Sequence, residues 1–141
     1  MANLPRQIIA EKENVEEVLK NLKIVLSRKD KSIVELAALA TFLHNIYNGI
    51  ENILKQTLKT KGIDISKSET WHKELLNISV KSKIITQALA DKLFEYLTFR
   101  HFFIHSYSLM LEEEKLADLT SNMSSVWLEF MQEIEQFFPL P

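Results

Sequence analysis

Four side chains capable of chemistry fall within one apolar run. In LTFRHFFIHSYSL, residues 97–109, Arg100, His101, His105 and Tyr107 interrupt phenylalanines and leucines. An arginine and two histidines are costly among such neighbours unless each finds a partner or faces water. Arginine supplies a permanent, forked cation that fits phosphate oxygens. Histidine titrates near neutrality and can take or give a proton. Without a carboxylate cluster, the pair suits cleavage of RNA by its own 2′-hydroxyl. A histidine would take the hydroxyl proton or protonate the leaving 5′-oxygen. The arginine would stabilise charge on the five-coordinate phosphorus. Such a reaction needs no metal, and no cofactor is expected.

On a helix the four residues share an arc. With Arg100 at zero and about 100° per residue, His101 lies near 100°, His105 near 140° and Tyr107 near -20°. Phe102 and Phe103, near 200° and 300°, are expected to pack inward while the polar arc faces a cleft. Arg100 and His105 are separated by about 7.5 Å along the axis, a gap that two long side chains can close on one phosphate. The angle between them is wide, so the site is expected to be completed by another helix or by a second subunit.

The elements that must carry this arc are helical. Only two glycines and three prolines occur, all near the ends of periodic stretches or of the chain. A first helix is expected from about residue 5 to 28, with Ile8, Val15, Val18, Leu19, Leu22 and Val25 as its stripe. Pro5 suits its first turn. Asp30 or Ser32 can cap a second helix over about 33–60, carrying Leu36, Ala37, Ala40, Leu43, Tyr47, Ile50, Ile53, Leu54 and Leu58. KTKGIDISKS reads as a loop around Gly62. Ser68 can cap a short helix in ETWHKELL, and NISVKS reads as a connection. A fourth helix is expected from near Ser82 through Leu89, Leu93, Tyr96 and Leu97. A fifth covers about 112–137, striped by Leu116, Leu119, Met123, Val126, Trp127, Phe130 and Ile134, with acidic residues at its positive end. The sum is an all-α antiparallel bundle of four or five helices in a single domain, 1–141.

Composition agrees with a soluble fold: 46% of residues are hydrophobic and 26% charged. With no cysteine, disulfides and thiolate metal sites are excluded, which fits a reducing cytosol and a cytoplasmic protein. The first residues turn acidic too early for a signal peptide, and no run is long enough to span a membrane. Net charge is -2, but residues 1–100 sum to +4 and residues 101–141 to -6. The asymmetry permits a positive patch, with Lys55, Lys59 and Lys61 beside the Gly62 loop as candidates for an RNA backbone.

A metal site is the competing chemistry. His101 and His105 are four apart, as two ligands on one helix face would be. A third ligand would have to be His44, His72 or a carboxylate, and no H-E-x-x-H pattern occurs. No metal is therefore assigned. His72 reads more simply as a polar residue beside a buried Trp71. Phe137 and Phe138 read as a helix-end anchor, and Met110, Met123 and Met131 as core or interface filler.

RHFFIHSY resembles the signature of the HEPN superfamily, specifically its HepT-type toxins: Arg, four residues, His, one residue, Tyr. Arg100, His105 and Tyr107 match, and His101 occupies a position that is usually polar. IENILKQTLK followed by WHKELL is similar to HepT-like proteins in the preceding helices, so the resemblance spans nearly the whole chain. It implies a helical bundle that forms a homodimer, with a metal-independent ribonuclease site in the dimer cleft. Arg100 and His105 would be catalytic, with His101 a supporting polar group. It further implies the toxin of a type VII-like HEPN/MNT toxin–antitoxin system. The partner would be an MNT-type nucleotidyltransferase antitoxin that transfers AMP to Tyr107. A nucleotide there would bring negative charge and bulk to Arg100 and repel substrate. tRNA is the expected substrate, with mRNA open. Some relatives instead serve as non-catalytic adaptors of a nucleotidyltransferase.

Overall fold

The computed structural model describes residues 2–65, 69–105 and 113–140; the side chains at 104, 105 and 113–115 lie outside that description. Within the described residues five helices follow in order: α1 (Arg6–Leu26), α2 (Ile33–Thr60), α3 (Trp71–Lys81), α4 (Gln87–His105) and α5 (Glu113–Phe137). No strand occurs among the described residues. An isolated bridge, Ala2 with Pro139, ties the two ends of the chain together beside a hydrogen bond from Asn3 N to Phe138 O.

α2 is the central element and packs against all four other helices. Its start is fixed chemically. The Ser32 hydroxyl accepts from the Glu35 amide while the Glu35 carboxylate accepts from the Ser32 amide. Arg28 donates to the same carboxylate at 2.8 Å, and these bonds hold it near pKa 2. At the other end Gly62, with φ +75°, turns the chain so that the Ile63 amide donates back to Leu58 O.

α1 lies antiparallel on α2, with Glu11 bonded to Asn52 and Val15 against Gly49. The apolar stripes expected on α1, α2 and α5 form the core. Trp127, Tyr47 and Phe130 are its largest fully buried members, and Val18 and Leu36 pack at its edge. α5 is joined to α4 by Tyr96, whose hydroxyl donates to Leu119 O, and by the Lys92–Glu129 ion pair. Met123 and Met131 are core residues, whereas Met110 lies outside the described residues.

Two boundaries differ from expectation. NISVKS is not a connection: α3 continues through it to Lys81. α4 then begins at Gln87, not near Ser82. The stop between them is a left-handed turn at Lys83, φ +59°, across which Ile84 N donates to Ser79 O. Only glycine adopts that conformation without strain, so a lysine there leaves no mark in the sequence. Thr86 and Glu133 then seat the start of α4: the Thr86 amide donates to the Glu133 carboxylate, and the Thr86 hydroxyl accepts from the Leu89 amide. Ser68, expected to cap α3, lies outside the described residues.

Gly49 marks a close approach of α1 and α2. A Cβ there would overlap Val15 Cγ2, a buried branched side chain with little freedom to move. Gly49→Ala is therefore expected to destabilise by about 1–3 kcal/mol from overpacking, against roughly 1 kcal/mol regained from helix propensity. Chemical denaturation should show the loss, and adding Val15→Ala should reverse part of it. A stabilised Gly49→Ala single variant would contradict the close approach.

Candidate functional site

Arg100 does not lie on an outward arc. Four of the buried residues of α4 upstream of it, Leu89, Leu93, Tyr96 and Leu97, fall within about 60° of it on the helical wheel, and buried Ala90 and Phe99 flank them at about 80° and 100° on either side. The guanidinium stem therefore emerges from the middle of the core-facing stripe, where α4 runs past α2 and α3. Of the two phenylalanines expected inside, Phe103 is, packing on Phe99 and 5.6 Å from the His44 ring. Phe102 is 41% exposed on the far side, since the face opposite Arg100 is the solvent face.

A half-buried cation on the core side must be met by polar groups. α2 supplies them at positions 44, 48 and 51, spacings of four and three that form one stripe. Arg100 Nε donates to Asn48 Oδ1 at 2.9 Å. Since Nε can only donate, the amide orientation of Asn48 is fixed, and its Nδ2 donates to His44 Nε2 at 3.1 Å. His44 is thus an acceptor at Nε2. Burial, and then the positive charge of Arg100, hold its pKa below 6.5.

α3 closes the other side. Arg100 Nη1 lies 3.4 Å from His72 Nε2, the outer limit of a hydrogen bond. The opposite ring nitrogen, Nδ1, donates to the Glu51 carboxylate at 2.8 and 3.0 Å. Glu51 is itself only 3% exposed, so the imidazole is its means of pairing. Lys55, one turn further along α2, stands 3.8 Å over the Trp71 ring, which stacks on His72 with centroids 3.5 Å apart. Beneath the patch Tyr47 is buried, and burial together with the Glu51 charge raises its phenol above the ordinary range.

The result is a line, Glu51–His72–Arg100–Asn48–His44, drawn from three helices. It leaves the Arg100 Nη2 edge with no acceptor among the described residues. No carboxylate pairs with the guanidinium directly there, so its charge remains available to an anion. His101 lies on the exposed side of α4. His105 is the last residue of α4, five positions from Arg100, and its side chain lies outside the described residues, as does Tyr107. Among the described residues no group of three metal-ligating side chains occurs. Lys55 and Lys61 are engaged within the fold. Lys61 sits over Phe137 and donates to Ser82 O. Phe137 and Phe138 pack together against the core, as an anchor would.

His72 does stand beside Trp71, which is half-buried, but its pairing with Glu51 and Arg100 was not foreseen. Nor was the His44–Asn48–Glu51 stripe. Its signal was present, polar residues at helical spacing on the flank of the apolar stripe of α2.

A five-helix bundle with an arginine presented from its central packing face defines the class. The family model for HepT-like proteins matches residues 38–139, and the chain belongs to that family. No curated protein matches it in sequence. Among solved structures it resembles that of a toxin–antitoxin with AMP-PNP: TM-score 0.76, 14% identity, 93% of this chain and 98% of that one covered. It also resembles YutE from Bacillus subtilis, a cytosolic protein of unknown function: TM-score 0.61, 20% identity, 89% of each chain covered. Among the described residues no helix is long and apolar enough to cross a membrane.

The fixed amide of Asn48 makes a direct prediction. His44 should be the neutral tautomer protonated at Nδ1, with an NMR titration midpoint below 6.5. Because folding lowers this pKa, stability should fall as pH drops from about 6.5 toward the lowered value. A midpoint above 6.5 would contradict the network.

Proposed function

We propose that this protein is the toxin of a type VII-like HEPN/MNT toxin–antitoxin system, acting as a metal-independent endoribonuclease. The observation that carries the proposal is the Arg100 guanidinium, held on one edge by Asn48 and His72 with the other edge unspent. Membership of the HepT-like family and the likeness to a toxin–antitoxin structure support it.

In this reading the scissile phosphate of an RNA, tRNA being preferred and mRNA possible, lies against Nη2 of Arg100. His105 removes the proton of the 2′-hydroxyl, whose oxygen attacks phosphorus. The bond to the 5′-oxygen breaks, and a histidine returns a proton to it. The products are a 2′,3′-cyclic phosphate and a 5′-hydroxyl. Arg100 offsets charge on the equatorial oxygens in the transition state. His101 is a supporting polar group. A homodimer would bring a second Arg100–His105 pair to the same cleft.

Tyr107 is the proposed control point. A cognate nucleotidyltransferase would pass AMP from ATP to its hydroxyl, and the bonded phosphate would compete for the free edge of Arg100. The AMP-PNP in the similar toxin–antitoxin structure fits a partner that uses ATP.

Two experiments test these steps. With total RNA and EDTA, the wild type should cleave, while His105→Ala and Arg100→Ala should lose about 10²–10⁴-fold in rate. Equal cleavage by all three, or none by the wild type, would remove the ribonuclease assignment. Incubation with the nucleotidyltransferase and ATP should add the mass of one or more AMP groups to the wild type but not to Tyr107→Phe. Undiminished labelling of Tyr107→Phe would exclude that tyrosine as acceptor.

A further inference from the structure

We infer that His72 is a positioning residue for Arg100: it orients the guanidinium by transmitting the buried Glu51 carboxylate through its ring. The inference rests on the ribonuclease reading only for its catalytic consequence; the positioning itself follows from geometry.

An arginine on a flexible stem can rotate about its last bonds, and ordering it costs side-chain entropy. One bond, from Nε to Asn48, fixes a point but leaves the plane of the fork free to swing. A second contact at Nη1 removes that freedom, and His72 provides it. For the contact to attract, Nε2 of His72 must offer a lone pair, because an arginine has only donors. Glu51 ensures this by holding the ring proton on Nδ1, with both carboxylate oxygens within 3.0 Å. The ring is further held by its tilted contact with Trp71, which also carries Lys55 over its ring. The chain of support therefore runs Glu51 to His72 to Arg100. A direct Glu51–Arg100 pair would hold the arginine as firmly but would neutralise it. Interposing the imidazole keeps the anion one ring away and the outer edge of the guanidinium cationic.

Two substitutions separate positioning from mere packing. His72→Phe keeps an aromatic ring on Trp71 but loses both nitrogens. His72→Gln can still donate to Glu51 and accept from Arg100. Each is checked for folding by circular dichroism and thermal melting. The first readout is ¹H–¹⁵N NMR of the guanidinium, assigned by Arg100→Lys, in a chain with only three arginines. In the wild type the two Nη groups should give separate signals. They should merge in His72→Phe and separate again in His72→Gln. Merged signals in the wild type, or separate signals in His72→Phe, would overturn the inference.

The second readout is RNA cleavage. His72→Phe should lower kcat by up to about 100-fold, more than it raises KM, with partial recovery in His72→Gln. Wild-type kcat in a folded His72→Phe would remove the catalytic consequence. If the wild type itself does not cleave RNA, the ribonuclease reading fails alone, and the NMR comparison still decides the positioning. Should His72→Phe not fold, His72→Gln against wild type decides: a merged Nη signal there overturns the inference, and separate signals support it.

Discussion

The structure turns on one requirement: a permanent cation on the core-facing side of α4 has to be satisfied without being neutralised. Arg100 cannot shed its charge, so burial cannot be relieved by a proton leaving. Among the described residues the neighbours it meets are an amide oxygen and an imidazole nitrogen, not a carboxylate. Glu51 supplies the compensating negative charge from behind His72. Stabilisation and availability are thereby separated: the inner edge of the guanidinium is bound, and the outer edge keeps its field.

That requirement explains the arrangement of the helices. α2 must present His44, Asn48 and Glu51 along one face over two turns, which only a well-anchored helix can do. Its capping box, its glycine stop and its contacts with every other helix provide the anchoring. Gly49 sits directly after Asn48 and lets α1 press close to α2, so the residue that fixes Nε adjoins a tight helix–helix contact. α3 is short and amphipathic, and its first turn is clamped by Glu51 on His72 and Lys55 on Trp71. α5 lies away from the site and holds α4 in place through Glu133, Glu129 and the Tyr96 bond to Leu119.

Much of this was legible in the residues. The stripes of α1, α2 and α5 appear almost residue for residue in the core, because long amphipathic helices have one way to bury an apolar face. The α3–α4 junction was not legible, since Lys83 adopts a left-handed turn that sequence normally signals with glycine. The neighbouring phenylalanines do not define the inner face of α4, since Phe102 is exposed. Leu89, Leu93 and Leu97 defined the inner face, and the arginine continues it.

By itself, then, the sequence determined an all-helical bundle and its HepT-like character, through periodicity and a local motif within a single helix. Only the tertiary structure decided what surrounds the motif arginine. His72 is 28 residues from Arg100 and Asn48 is 52. Nothing local constrains such pairs. Each of those side chains alone reads as an ordinary polar residue. They become a site because three helices cross at one point, where a cation that cannot lose its proton needs partners that will not cancel it.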